Sequence, residues 1–229
     1  MLTVQDIADM IDHSLLRPEL TDADVVEGCR VARDHRCISV CARPADIARC
    51  ARALAGTAVL VTTVVGFPHG SSTTPTKLFE ARAMIEAGAV ELDMVLNIGK
   101  LTSGELAYVE DEIRAICDLA HGAKALVKVI LENAYLTDEQ KVSACRISEH
   151  AGADFVKTST GFAKSGATID DLKLMRAACS DRVRIKAAGG VRTLDDALAV
   201  RAVGTARFGA TQTIAILTEA AQRAAEGRL

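Results

Sequence analysis

Two lysines occupy matching places in consecutive segments of the chain. Lys157 lies in FVKTSTG and Lys186 lies in RIKAAGG. If these segments are neighbouring buried strands, the two ammonium groups lie close together, and crowding by a like charge with partial desolvation disfavours protonation of one amine. A neutral lysine amine attacks a carbonyl carbon and forms a Schiff base. The residue types therefore indicate covalent chemistry on a carbonyl compound.

One carboxylate accompanies the lysines. Asp93 stands inside the otherwise apolar run VELDMVL, and Lys128 stands inside ALVKVILE. A charge in such a run is costly unless it is paired, so Asp93 is expected to pair with lysines and to move protons. The alternative is a Lys–Asp–Lys network that only fills the interior, as structural ion networks do. The residues alone leave both interpretations open, and they do not select the nucleophile among Lys157, Lys186 and Lys128.

The segments that must position these side chains are short runs of continuous hydrophobicity, the pattern of strands buried on both faces of a parallel sheet. Seven such runs, with a first segment around residues 11–15, make eight: ISVCA (38–42), AVLVTTVVG (58–66), VELDMVL (90–96), ALVKVILE (125–132), DFVKTS (154–159), VRIKAAG (183–189) and ARFGA (206–210). The predicted fold is α/β, a single-domain (βα)8 TIM barrel over residues 1–229. An open doubly wound sheet is the alternative, although its nucleotide-binding form is disfavoured because the chain contains no GxGxxG or Walker A pattern.

Helix boundaries between the runs are marked by caps. Glycines just past a helix end are expected in left-handed conformations, and they precede three of the strands: Gly88, Gly152 and Gly204. Four threonines stand at expected helix starts, two with an acidic or amide residue at capping-box spacing and two before acidic first turns: Thr102 with Glu105, Thr137 with Gln140, Thr168 and Thr193.

Chemistry in a barrel collects where strands end and the following loops begin. Three loops after late strands combine small residues with free backbone N–H groups, as barrel phosphate sites do. A lone glycine pair is more simply a tight turn, but three converging loops favour a phosphate site. The predicted contacts are Thr160, Gly161, Gly189, Gly190, Gly209 and Thr211.

Bulk composition restricts the partners. The net charge is −3 and aromatic residues make up 3% with no Trp, so neither a basic nucleic-acid surface nor a stacking platform is expected, and a small-molecule substrate fits better. Seven cysteines, without a CxxC pair or zinc-like spacing to His, indicate a reducing compartment and no metal site. The N-terminus carries acidic residues rather than a basic flank, and no apolar stretch is long enough to span a membrane. We expect a cytoplasmic protein.

Longer strings make the pattern specific. ELDMVLNIG, LVKVILE, DFVKTSTGF and RIKAAGGVRT occur in this order, with IDHSLL and SVCARP before them, VGFPHG between and RFGA near the end. This series resembles the deoxyribose-phosphate aldolase family over nearly the whole chain. The resemblance implies that Lys157 is the Schiff-base lysine, that Lys186 keeps it unprotonated, and that Asp93 transfers protons. It also places Asp12 and Cys41 near the substrate. Lys128 is expected to line the same interior and to contact the substrate.

The activity implied by the resemblance is that of a class I aldolase in deoxyribose catabolism. Such an enzyme cleaves 2-deoxy-D-ribose 5-phosphate reversibly to D-glyceraldehyde 3-phosphate and acetaldehyde, with no cofactor and no metal, and we expect a homo-oligomer with a dimer favoured. The family usually carries two hydroxyl residues after the last strand, where this chain has Thr211 and Gln212. Replacing Gln212 by Ser is therefore expected to strengthen phosphate binding.

Two rival interpretations remain, one of them another enzyme and the other a binding protein. A transaldolase or a ketose-phosphate aldolase would use the same lysine chemistry on a different donor, and product identification would separate them. A catalytically silent barrel would bind a phosphorylated metabolite as a sensor or scaffold. The altered Thr211-Gln212 pair favours this second rival, whereas the joint presence of Lys157, Lys186 and Asp93 argues against it.

Overall fold

Eight parallel strands close into a barrel. The computed structural model describes residues 2–229, and each strand is hydrogen-bonded to the next, with the eighth pairing with the first. The strands are β1 (Ile11–Leu15), β2 (Ser39–Ala42), β3 (Leu60–Val65), β4 (Glu91–Val95), β5 (Leu126–Ile130), β6 (Phe155–Lys157), β7 (Arg184–Ala187) and β8 (Arg207–Ala210). Seven of them, β2 to β8, fall within the runs predicted from continuous hydrophobicity, β1 coincides with the separate first segment, and the (βα)8 barrel is confirmed.

Helices surround the strands and bury their apolar faces against them. They are α1 (Val4–Ala8), α2 (Asp22–Asp34), α3 (Ile47–Ala53), α4 (Thr74–Glu86), α5 (Ile98–Thr102), α6 (Leu106–Gly122), α7 (Asp138–His150), α8 (Ile169–Ala178), α9 (Leu194–Ala202) and α10 (Thr213–Ala225), with short 3-10 turns at Pro44–Asp46 and Asn133–Tyr135. One continuous apolar core fills the layer between strands and helices. In residues 2–229 every helix is too short or too polar to cross a bilayer.

Most of the predicted helix boundaries are confirmed. Gly88, Gly152 and Gly204 follow helix ends with φ of 109°, 95° and 82°. Thr137, Thr168 and Thr193 are N-caps whose side chains accept a hydrogen bond from a backbone N–H of the first turn.

The capping box predicted at Thr102 and Glu105 is wrong. Asn97 begins α5, and its side chain accepts from the backbone N–H of Lys100 at 3.1 Å. Thr102 instead ends that helix, with its hydroxyl donating to the carbonyl of Gly99 at 3.1 Å. The threonine hydroxyl is thus satisfied inside α5, and α6 begins after Glu105 without a side-chain cap.

The strand register places the interior charged side chains next to one another. Lys157 on β6 is paired with Lys186 on β7, and Asp93 on β4 is paired with Lys128 on β5. Since side chains alternate between the two faces of a strand, residues two apart on one strand face the same interior in successive layers. The prediction that the two lysines lie on neighbouring strands is confirmed.

The two ends of the chain meet to close the barrel. Asp12 on β1 is in register with Gly209 on β8, and the backbone N–H of Phe208 donates to the carbonyl of Met10 at 2.7 Å. Outside the barrel α1 packs against α10. Ring closure removes both open edges of the sheet, and it joins segments that are farthest apart in sequence.

Candidate active site

A cavity of about 520 Å³ opens at the carboxyl ends of the strands. Ten of the predicted site residues line it: Asp12, Cys41, Lys157, Thr160, Gly161, Lys186, Gly189, Gly190, Gly209 and Thr211. They reach it from β1, β2, β6, β7 and β8 or from the loops that follow these strands. The structure thus brings together, in one concave site, side chains that span most of the sequence.

Asp93 lies beneath the cavity rather than on its wall, and it holds the lysines together. Its Oδ2 accepts hydrogen bonds from Lys157 Nζ at 2.8 Å and from Lys186 Nζ at 2.7 Å, and its Oδ1 accepts from Lys128 Nζ at 2.9 Å. Burial alone would raise the pKa of the Asp93 carboxyl, but the three adjacent ammonium groups outweigh burial and hold that pKa well below its usual value. Asp93 is therefore an ionised acceptor shared by three amines.

Lys186 is the better paired of the two lysines on the wall. Its Nζ forms an ion pair with Asp12 Oδ2 as well as the bond to Asp93. Burial would lower the pKa of the Lys186 ammonium, but Asp12 and Asp93 outweigh burial and raise it. The like-charge crowding expected from the sequence therefore does not deprotonate Lys186, which stays a cation next to Lys157.

Lys128 does not reach the cavity. Its side chain is fully enclosed, and its Nζ donates to Glu91 Oε2 at 2.5 Å in addition to Asp93. A substrate in the cavity cannot touch a side chain with no exposed surface. The expected contact of Lys128 with the substrate is therefore wrong. The predicted pairing of Lys128 with Asp93 is confirmed.

A second layer of charge, which the sequence analysis missed, lies below Asp93. Arg207 donates to Glu91 Oε1 at 2.8 Å and Oε2 at 3.0 Å, and it also donates to Asp12 Oδ1 at 3.1 Å. Its guanidinium carbon lies 5.4 Å from the centroid of the Phe155 ring. The signal was available, because Glu91 precedes Asp93 by two residues and therefore faces the same interior.

Cys41 lines the cavity next to Asp93, with 4.0 Å between its Sγ and Asp93 Oδ2. Burial raises the pKa of the Cys41 thiol to about 11, and the neighbouring carboxylate of Asp93 acts in the same direction. A thiol with this pKa is protonated at neutral pH. Its environment is therefore that of a wall residue rather than of a nucleophile.

The rim of the cavity carries the expected glycines together with two arginines that the sequence analysis missed. Gly161, Gly189 and Gly190 have positive φ, so the backbone curves around the opening. Arg17 and Arg192 line the same opening, on the loops after β1 and β7. Cations and backbone N–H groups are the donors that bind phosphate in proteins.

Gln212 is not on this rim, in contrast to the expectation from the sequence. It lies at the N-terminal end of α10 and lines a separate cavity of about 400 Å³ between α2 and α10, whereas Thr211 lines both cavities. Consecutive residues at the start of a helix point in different directions, so the two hydroxyl positions of the family pattern do not face the same space.

Glu132 was also missed by the sequence analysis. It follows β5 with a left-handed backbone (φ 55°, ψ 64°), and its buried carboxylate accepts from the backbone N–H of Thr160 at 3.2 Å and from the Thr160 hydroxyl. That hydroxyl in turn accepts from the N–H of Phe162 at 3.0 Å. Glu132 therefore holds the loop that follows Lys157. Its left-handed backbone is the feature that suggests a special role, and the sequence does not reveal that conformation.

The fold and the cavity together define a (βα)8-barrel enzyme, since a polar site at the carboxyl ends of the strands is the place where such barrels carry their chemistry. A family profile described as DeoC/LacD family aldolase matches residues 7–213. The chain belongs to this aldolase family. In residues 2–229 no three side chains of His, Cys, Asp or Glu come together so as to hold a metal ion.

Individual relatives agree with the family. A deoxyribose-phosphate aldolase from Caldicellulosiruptor saccharolyticus is 47% identical over 219 residues, which cover 95% of this chain and 100% of that protein. One from Rhodopirellula baltica is 48% identical over 215 residues, covering 94% and 89% of the two chains. Among solved structures, the deoxyribose phosphate aldolase of Aeropyrum pernix has a TM-score of 0.89 and 31% identity, covering 95% of this chain and 92% of that one.

Proposed function

We propose that this chain cleaves 2-deoxy-D-ribose 5-phosphate reversibly to D-glyceraldehyde 3-phosphate and acetaldehyde, through a Schiff base on Lys157. The relatives that carry the name deoxyribose-phosphate aldolase match nearly the whole chain. The observation that carries the assignment of the nucleophile is the position of Lys157. Its Nζ lies on the cavity wall and shares one oxygen of Asp93 with the better-paired Lys186.

The reaction begins when the neutral amine of Lys157 adds to C1 of the open-chain sugar and water leaves, giving a protonated imine. The imine accepts the electron pair of the C2–C3 bond as that bond breaks, and the C3 hydroxyl loses its proton, so that C3 to C5 leave as glyceraldehyde 3-phosphate. The remaining enamine takes up a proton at C2. Water then hydrolyses the imine, which restores the amine and releases acetaldehyde.

Asp93 and Lys186 are proposed to move these protons. Asp93 is ionised and contacts Lys157, and Lys186 is a cation that also lines the cavity, so one acceptor and one donor stand beside the reacting amine. Asp12 keeps Lys186 charged and in place through its own ion pair.

The phosphate is proposed to lie at the rim of the cavity that Lys157 lines. The loops at Thr160–Gly161, Gly189–Gly190 and Gly209–Thr211 supply small residues and backbone N–H groups there. Arg17 and Arg192 add two positive charges on the same side. Together these groups favour a doubly charged anion over an uncharged sugar end.

Borohydride trapping tests the assignment. Reduction in the presence of acetaldehyde should inactivate the enzyme and leave a two-carbon adduct, located by peptide mass spectrometry on Lys157. Lys157→Met is the matched control, because its side chain has nearly the same length without the amine, and it should show neither adduct nor turnover. An adduct on Lys186, or turnover that persists in Lys157→Met, would overturn the assignment.

We further propose a homo-oligomer, with a dimer favoured, working in the cytoplasm. The related aldolase from Aeropyrum pernix is described as tetrameric, and the seven cysteines of this chain are free thiols, which suits a reducing compartment. Light scattering at micromolar concentration measures the mass directly. A monomer would contradict the proposed homo-oligomer, and a tetramer would contradict the preference for a dimer.

A further inference from the structure

The charged groups inside the barrel do not balance. Three carboxylates and four basic side chains form one continuous cluster, and each of them is almost completely buried: Asp12, Glu91, Asp93, Lys128, Lys157, Lys186 and Arg207. With every group ionised, the cluster carries one positive charge more than negative. An uncompensated buried charge is costly, so the cluster favours the loss of one proton from one of its cations.

The contacts indicate which cation gives up the proton. Arg207 cannot, because a guanidinium stays protonated in proteins. Lys128 donates to Glu91 and Asp93, and the attraction of these carboxylates outweighs burial and raises the pKa of the Lys128 ammonium. Lys186 is held in the same way by Asp12 and Asp93. Lys157 is the remaining amine, and in residues 2–229 its ion pairing is limited to the one oxygen of Asp93 that it shares with Lys186.

We infer that Glu91 and Arg207, which touch neither the cavity nor Lys157, set the pH above which Lys157 is free to attack the substrate. Arg207 supplies the fixed positive charge that makes the count uneven, and Glu91 offsets it in part. The link to the cavity is a chain of contacts, from Arg207 to Asp12 at 3.1 Å, from Asp12 to Lys186, and from Lys186 to the oxygen of Asp93 that Lys157 also uses. Both residues are therefore positioning residues, and the inference rests on the proposed role of Lys157.

Other titratable groups around Lys157 stand outside this cluster. Cys41 on β2 is a protonated thiol, Glu132 after β5 bonds to Thr160, and Arg17 and Arg192 stand at the mouth of the cavity. Arg184, the exposed first residue of β7, has its guanidinium carbon 4.0 Å from the centroid of the Phe155 ring, on which Arg207 also packs. In all the variants below these groups are unchanged. A shift in the acid limb of the reaction therefore reports on the cluster itself.

The inference predicts shifts of opposite sign. Arg207→Met balances the cluster with Lys157 still protonated, so the acid limb should move to higher pH by about one unit. Glu91→Gln adds one more unbalanced positive charge, so the limb should move to lower pH by about the same amount. The double variant restores the original excess of one positive charge, and its limb should return close to that of the wild type. Arg207→Lys keeps the charge and should leave the limb in place.

The assay is the initial rate of trapping with acetaldehyde and cyanoborohydride, a reductant that survives mild acid, between pH 5 and pH 9. Acetaldehyde carries no phosphate, so titration of the substrate does not contribute to the profile. Shifts of opposite sign that cancel in the double variant support the inference, whereas shifts of one sign in both single variants, or none, overturn it. Glu91→Gln is nearly isosteric. If Arg207→Met does not fold, the predicted shift of the acid limb to lower pH in Glu91→Gln tests the inference by itself. No adduct on wild-type Lys157 would instead defeat the proposed function.

Discussion

Outside the barrel a second buried ion pair, between Lys77 on α4 and Glu112 on α6, joins two helices to the end of β4. Lys77 Nζ donates to Glu112 Oε2 at 2.7 Å and to the carbonyl of Val95 at 2.8 Å, and both side chains are fully buried. Burial lowers the pKa of the Lys77 ammonium and raises the pKa of the Glu112 carboxyl, so each charge depends on the other. Lys77→Met should therefore leave the buried carboxylate of Glu112 without a partner of opposite charge.

The loss in folding free energy follows from the protonation of Glu112. An unpaired buried carboxylate takes up a proton, and at pH 7 protonation of a carboxyl with an ordinary pKa of 4.5 costs about 3.4 kcal/mol, since one unit is worth about 1.36 kcal/mol. Loss of the hydrogen bond to Val95 adds about 1 kcal/mol. Lys77→Met should thus lower the free energy of unfolding by roughly 4 kcal/mol at pH 7. At pH 5, where the proton is more available, the loss should be roughly 2 kcal/mol.

Urea denaturation of the wild type and of Lys77→Met, at pH 7 and pH 5, measures both numbers. Lys77→Met/Glu112→Leu is the matched control, because removing both charges leaves no stranded group and should recover most of the loss. Turnover of the folded fraction at pH 7 should be unchanged, since neither residue touches the cavity. A penalty below about 1 kcal/mol, or one that grows as the pH falls, would refute the account of a stranded carboxylate.

Further predictions concern four residues and the absence of a metal requirement. Thr211→Val should raise the Michaelis constant for 2-deoxyribose 5-phosphate by about tenfold or more, as expected from loss of one hydrogen bond to a charged group, while Gln212→Ser should leave it unchanged. Steady-state rates with phosphorylated and unphosphorylated deoxyribose compare the two, and an effect of Gln212→Ser on the phosphorylated sugar alone would place Gln212 back at the rim. Burial of His13 lowers its pKa to about 4 from 6.5. Because the folded state binds this proton less readily than the unfolded state, stability should be lost as pH falls from 6.5 towards 4, by about 3 kcal/mol, and His13→Gln should flatten that slope in urea titrations. Cys41→Ala should retain turnover within a few-fold, and iodoacetamide should label Cys41 slowly at pH 7 and faster as the pH approaches 11; rapid labelling at pH 7 would contradict the raised pKa. Chelators should leave the rate unchanged, because the proposed imine needs no metal, and loss restored by added zinc would oppose this.

The strands and the positions of the interior lysines could be predicted because one physical pattern encodes both. Continuous hydrophobicity marks a strand covered on both faces, so a charged residue inside such a run must face the barrel interior. Equivalent positions in consecutive runs then imply neighbouring strands. This reasoning correctly placed Lys157 beside Lys186, and it paired Lys128 with Asp93.

The errors and omissions have a different origin. Whether an interior side chain reaches the cavity or is enclosed depends on its height along the barrel axis. The hydrophobic pattern does not give that height, so Lys128 was expected to contact the substrate and Glu91 was overlooked. Loops have no periodicity, so the inward turn of Arg192 and the outward turn of Gln212 leave no trace in the sequence. At Thr102 the capping pattern was present, but this residue ends α5 and its hydroxyl donates to the carbonyl of Gly99 instead of capping the next helix.

Closure of the barrel by its first and last strands governs when the site can exist during synthesis. Asp12 is made early, whereas its partner Arg207 follows 195 residues later, a delay of roughly 10–40 s on a ribosome. Until β8 has emerged, β1 and β7 present open edges and the buried carboxylates lack part of their counter-charge. The charged cluster is therefore complete only in a molecule that is already closed, and the proposed nucleophile Lys157 acquires its full surroundings only then. Premature termination before Arg207 should yield fragments that are prone to aggregation and inert towards aldehydes.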